Sequence, residues 1–77
     1  MAIGFVLINT ATTKEHEIYN KLSRIPEIME LHPLFGEYDL IAKMYIDNYE
    51  DLENIIVNKI KNLNGVIDTK VLTGTNV

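Results

Sequence analysis

Few side chains in this 77-residue sequence carry reactive or ligand-binding chemistry, and their spacing narrows what they can do. There is no cysteine, so no thiolate nucleophile, disulfide or Cys-based zinc site is available. The two histidines, His16 and His32, stand apart, and neither a His–Asp pair nor a cluster of Arg and Lys offers a general base with an oxyanion site. His16 reads as a surface residue. The acids from Asp47 to Glu53 lack the spacing of a calcium loop and read as a helix cap with a solvated face. What remains is Gly36-Glu37-Tyr38-Asp39. A carboxylate beside a glycine turn can accept from an ammonium, the turn amides can donate to a carboxylate, and a tyrosine can cover both. A zwitterionic amino acid in a water-poor cleft requires that set. The same residues also meet a structural demand, Gly36 for positive φ and Asp39 for a bond to its own turn.

The elements that hold these residues follow from periodicity. Ile3 to Ile8 is a short apolar run, read as a central strand. Thr12 and Glu15 have capping-box spacing, and Ile18, Leu22 and Ile25 then share one helical face that Tyr19 widens, ending at Pro26. Ile28 to Phe35 contains Pro33, which cannot donate to a ladder, so it is expected as an edge strand. Leu40 to Ile46 is a second central strand. Asp47 and Asn48 are both good N-caps, Asp47 with Glu50 in the capping arrangement, and Leu52, Ile55, Ile56, Ile60 and Leu63 form a buried helical stripe. Asn64-Gly65 supplies a left-handed stop, Val66 to Thr73 the last strand, and Gly74 to Val77 a frayed end. The order β-α-β-β-α-β with right-handed crossovers predicts an α+β, ferredoxin-like fold: four antiparallel strands with both helices on one face.

Length and charge prune the alternatives. One domain over residues 1–77 is expected, burying roughly 60% of the surface of its extended chain, a marginal core that favours self-association. A 47% hydrophobic content with 23% charged residues excludes disorder. Seven Lys and Arg are scattered among eleven Asp and Glu, for a net charge of −4, so direct nucleic-acid binding is not expected. No apolar run reaches membrane-spanning length and the opening residues lack a signal-peptide pattern, so a cytoplasmic protein is expected, with no membrane partner. Both central strands are apolar on alternate residues of either parity, which calls for a second protein surface over the face the helices leave open.

With that arrangement in view, Gly36-Glu37-Tyr38-Asp39 resembles the G-x-Y/F-D hairpin signature of the Lrp/AsnC family effector-binding domain, the RAM domain. Ile28-Met29-Glu30-Leu31-His32 resembles the strand entering that hairpin, Asp39-Leu40-Ile41-Ala42-Lys43 its exit, and Gly65-Val66 the opening of the last strand. The likeness covers essentially the whole chain. Because it opens at the first strand with its own Met1, the sequence resembles the stand-alone form without a helix-turn-helix. The resemblance implies a dimeric α+β barrel formed through the sheets, growing to a tetramer, octamer or ring, with an amino-acid effector in clefts between dimers. It implies ligand contacts at Gly36, Tyr38, Asp39 and Thr69, no cofactor, no metal and no catalytic residue. It also implies a role in transcription regulation, through a full-length relative or another partner. Two departures bear on the ligand. Thr69 occupies the first of two threonine positions on the last strand but Val71 the second, and Pro33-Leu34-Phe35 is more apolar than the family's usual residues, favouring an apolar effector. The alternatives are a small barrel-forming enzyme and a ligand-free oligomerisation module.

Overall fold

The computed structural model describes residues 2–74. Among them the chain runs β1 (Ala2–Thr10), α1 (Glu15–Leu22), β2 (Ile28–Pro33), β3 (Leu40–Ile46), α2 (Tyr49–Ile55) and β4 (Val66–Gly74). A 3-10 turn, Thr12–Lys14, leads into α1, and a π turn, Ile56–Ile60, extends α2. The four strands form one antiparallel sheet in the order β2-β3-β1-β4. This is the expected ferredoxin-like topology. Pro33 ends the edge strand β2, where a missing N–H leaves no central ladder broken. Gly74 closes β4, and the remaining residues of the expected frayed end, 75–77, lie outside the described residues.

One face of the sheet is the core. Val6 and Ile8 of β1, and Leu40, Ala42 and Met44 of β3, are buried together with Ile18 and Leu22 of α1, Leu52 of α2, and Ile56 and Ile60 of the π turn. Strand geometry sends their neighbours to the opposite face. There Ile3, Phe5, Leu7 and Ile41 are half-buried, and Tyr45 and Leu72 are exposed. Gly4 lets α2 come close: a Cβ there would stand 3.1 Å from both terminal methyl carbons of Leu52.

The helix ends depart from expectation in three places. The Thr12–Glu15 capping box does not form. Thr12 lies inside the 3-10 turn, away from the extended geometry an N-cap needs, and neither Ala11 nor Lys14 caps through a side chain. A tertiary bond fixes the entry instead, from Ala11 N–H to the Gly65 carbonyl at 2.8 Å. Helix α1 stops at Leu22, before Ile25, because Arg24 and Ile25 already donate three residues back, to Lys21 and Leu22. In α2 the Asp47–Glu50 arrangement does not form, and Asn48, the second expected cap, takes the role: its extended backbone lets Oδ1 accept from Asp51 N–H at 2.9 Å. The wide turn that follows, with Lys61 N–H on the Ile56 carbonyl at 2.8 Å, keeps both Ile56 and Ile60 in the core. Gly65 adopts φ 109° as expected, and a Cβ there would meet the Lys14 Cβ at 2.7 Å.

Candidate functional site

The signature residues sit on the loop between β2 and β3, and two sets of bonds hold that loop. Leu34 N–H donates to the Asp39 carbonyl at 2.8 Å and closes it. Asp39 N–H then donates to the Ile8 carbonyl at 3.0 Å, docking the loop on β1. The pairing of β1 with β3 stops at Ile8 and Leu40, so Thr10 N–H has no backbone partner on that side. Asp39 supplies one. Its Oδ2 accepts from Thr10 N–H at 2.8 Å and from the Thr10 hydroxyl at 3.3 Å. Thr10 is only 7% exposed, so this bond satisfies a donor that water reaches poorly. Among the described residues no bond is made to Asp39 Oδ1, which retains its lone pairs for a further donor.

The other candidates divide between loop and sheet. Gly36 takes φ 123° with open space around its Cα, so the turn conformation requires a glycine there. Tyr38 is half-buried beside Asp39. Thr69 lies on β4 opposite Ile8, on the helix-covered side of the sheet, half-buried, and its N–H donates to the Asp68 carboxylate at 2.9 Å. Val71, opposite Val6, faces the same way. One row across the sheet reads Pro33, Leu40, Ile8, Thr69, so Thr69 stands two strands from the loop side, about 9–10 Å from Leu40. Gly36, Tyr38 and Asp39 are thus together, whereas Thr69 is apart from them within one chain.

A cleft of about 400 Å³ opens at the base of the same hairpin. It is lined by Thr12, Thr13, Glu15, His16, Tyr19, Pro33 and Leu40, and by none of the four signature positions. Sequence reasoning read Thr12 as a cap, His16 as surface and Tyr19 as stripe. Their spacing, offsets 0, 4 and 7 across the 3-10 turn and α1, places them on one side, but the opposite wall comes from strands far along the chain.

Charge on the open sheet face gathers on β2 and β3. Glu30 on β2 meets Lys43 Nζ on β3 at 3.1 Å and His32 Nε2 at 3.3 Å. The Lys43 ammonium, foremost, holds the Glu30 carboxyl below the usual glutamate range. Lys43 also lies 5.5 Å from the centre of the Tyr45 ring. Among the described residues no three His, Cys, Asp or Glu side chains cluster as metal ligands, and no helix is long and apolar enough to cross a membrane.

The family model "Lrp/AsnC ligand binding domain" matches residues 3–73, and the chain belongs to that family. It is 31% identical over 70 residues to the HTH-type transcriptional regulator FL11 of Pyrococcus furiosus, covering 91% of this chain and 46% of that protein. It therefore spans about half the length of the curated relatives it matches. The hypothetical protein PHS023 from Pyrococcus horikoshii has the same fold at a TM-score of 0.89 and 35% identity, over 100% of this chain and 93% of that one. The Neisseria meningitidis regulator NMB0573, solved as an L-Met complex, shares the fold at a TM-score of 0.87 and 14% identity, over 97% of this chain and 50% of that one.

Proposed function

We propose that this chain is the effector-binding domain of a Lrp/AsnC-type regulator, a single cytoplasmic domain that takes a free amino acid and catalyses no reaction. Two copies pair through the open sheet faces, the pairs assemble further, and the effector lies between pairs at the β2–β3 loops. The observation that carries this reading is the state of Asp39. Its Oδ2 is anchored by Thr10 while Oδ1 stays free to accept from an ammonium. The Gly36 turn offers amides for the carboxylate, and Tyr38 covers the ligand. Thr69 joins from a strand that does not meet the loop within one chain, so the site is completed by assembly. Leu34, Phe35 and Val71 make an apolar effector a better fit than a charged one. The Neisseria regulator of the same fold was solved with L-Met, an amino acid of that chemistry.

Regulation then follows from linkage. A ligand that bridges two pairs stabilises that assembly by its differential affinity for it. With a net charge of −4 the domain would act on transcription through an associated partner, such as a full-length relative, and not by gripping DNA itself. The test is a thermal melt against each of the twenty amino acids. At a hundred times Kd a true effector adds about 2.7 kcal/mol, a rise on the order of 10 °C for a domain this small. Asp39→Asn, which keeps an acceptor for Thr10 but removes the charge, should abolish the rise. If no amino acid raises the melting temperature, the amino-acid reading is overturned.

A further inference from the structure

The turn that enters β4 holds the one Asn-Gly pair of the sequence, Asn64-Gly65. Leu63 and Val66 close it, with Val66 N–H on the Leu63 carbonyl at 3.2 Å. Gly65 has φ 109° and no described residue other than glycine has positive φ, so the turn is of type II with Asn64 ahead of the glycine. Asn64 is exposed. Among the described residues its carboxamide makes no hydrogen bond. The peptide plane between Asn64 and Gly65 is also unbonded there, since the Asn64 carbonyl accepts nothing and the Gly65 N–H donates to nothing. That plane is free to rotate, and glycine, with no Cβ, leaves the approach to its nitrogen unshielded. Every other asparagine precedes a residue with a side chain.

These features put a nucleophile and an electrophile on one exposed turn. Hydroxide removes the Gly65 N–H proton, and the nitrogen attacks Asn64 Cγ. The new C–N bond closes a succinimide ring, and the carboxamide nitrogen leaves as ammonia. Water then opens the ring at either carbonyl. Opening at Cγ gives aspartate, whereas opening at the main-chain carbonyl gives isoaspartate, with the backbone rerouted through the side chain and lengthened by one carbon. Gly65 is badly placed to absorb that length. Its carbonyl accepts from Ala11 N–H at 2.8 Å, and a Cβ on it would already stand 2.7 Å from Lys14 Cβ and 3.4 Å from Ile18 Cδ1. We infer that Asn64–Gly65 is a self-modification site where the chain deamidates and isomerises, and that the isoaspartyl form loosens the entry of α1 by displacing Gly65 from Ala11. The turn is then a slow, irreversible timer acting on the helix it braces.

The inference rests on neither the pairing nor the effector. Its test incubates the full chain in mildly alkaline buffer, folded and in urea, and reads the products by peptide mapping with fragmentation that separates aspartate from isoaspartate. Conversion in the folded chain should be confined to Asn64, with isoaspartate in excess and a rate that rises with hydroxide. Asn64→Gln should show none at that position in the same time. The isoaspartyl fraction, isolated by ion exchange, should melt lower than fresh protein by on the order of 5 °C, the shift expected for one lost backbone bond in so small a domain. Asn64→Asp, which adds the charge without the extra carbon, should melt with wild type. Ala11 has φ −61°, the proline value, so Ala11→Pro deletes the donor without bending the chain, and the fall should shrink in that background. Asn64 left intact in the folded chain while the unfolded chain converts overturns the site. Equal conversion at the other asparagines of the folded chain overturns it as well. An isoaspartyl fraction that melts like fresh protein overturns the coupling to α1.

Discussion

Neighbouring residues of β1 have nearly the same chemistry and opposite fates. Val6 and Ile8 are fully buried against the helices, while Phe5 and Leu7, one step away, keep part of their surface in water. The same split runs through β3, where Ala42 and Met44 are buried and Ile41 and Tyr45 are not. What differs is the covering layer, not the residue type. Helices α1 and α2 fill one face from within the chain. The other carries apolar Ile3, Phe5, Leu7, Ile41 and Leu72 around Lys43, which stands opposite Phe5, with Glu30 and His32 on the edge strand. A contiguous apolar face of this kind suits a contact between molecules. One face sets the stability of the single chain, and the other is the surface that the proposed pairing would cover.

That contrast can be broken most severely from the inside. Ile8→Ala should cost about 2–5 kcal/mol in urea unfolding, by the same amount at every protein concentration, because the cavity lies within the chain. Leu7→Ala should cost less, and its cost should change with concentration. Leu7→Glu places a charge in the centre of the open face. It should weaken pairing by at least about a hundredfold in sedimentation equilibrium, with the far-ultraviolet circular dichroism of the fold retained. A Leu7→Glu protein that still pairs at micromolar concentration would show that the open face is not the contact.

The latch at the loop base comes next. Asp39→Ala leaves the Thr10 N–H without its partner at a site only 7% exposed, so a loss of about 1–3 kcal/mol is expected. Asp39→Asn should recover most of it in the same unfolding measurement, which separates anchoring from charge. Smallest is the margin of the open face. Lys43 holds the Glu30 carboxyl low, so the contribution of this group is present above the ordinary glutamate range and is lost as pH falls through the lowered value. Wild type should thus exceed Glu30→Gln slightly at neutral pH, and the two should converge in acid. Glu30 is exposed and Lys43 half-buried at the surface, so the gap should shrink with added salt. A gap that widens in acid would reverse the assigned sign.

The fold was largely legible because its signals are local. The apolar runs of the central strands, the helical stripe from Leu52 to Leu63, Pro33 at an edge and Gly65 at a stop all appear as expected. The helix entries were less so. Thr12 and Glu15 have the spacing of a capping box, but the bond from Ala11 to Gly65 decides how the chain enters α1. At α2 both Asp47 and Asn48 are legible as caps, and the extended backbone at Asn48 decides between them. The loop that carries Gly36, Tyr38 and Asp39 could be named in advance from its signature. The fixed use of one Asp39 oxygen could not, since Thr10 is 29 residues away in sequence.

The sequence by itself therefore determined the order of elements, the strand edge and the glycine turn, because those depend on backbone preferences within a few residues. It also determined that both faces of the central strands are apolar. Only the tertiary structure decided which face the helices cover, which oxygen of Asp39 is spent on Thr10, and that Gly65 is tied to Ala11 and packed against Lys14. Those outcomes depend on distances between residues remote along the chain, and local spacing carries no record of them.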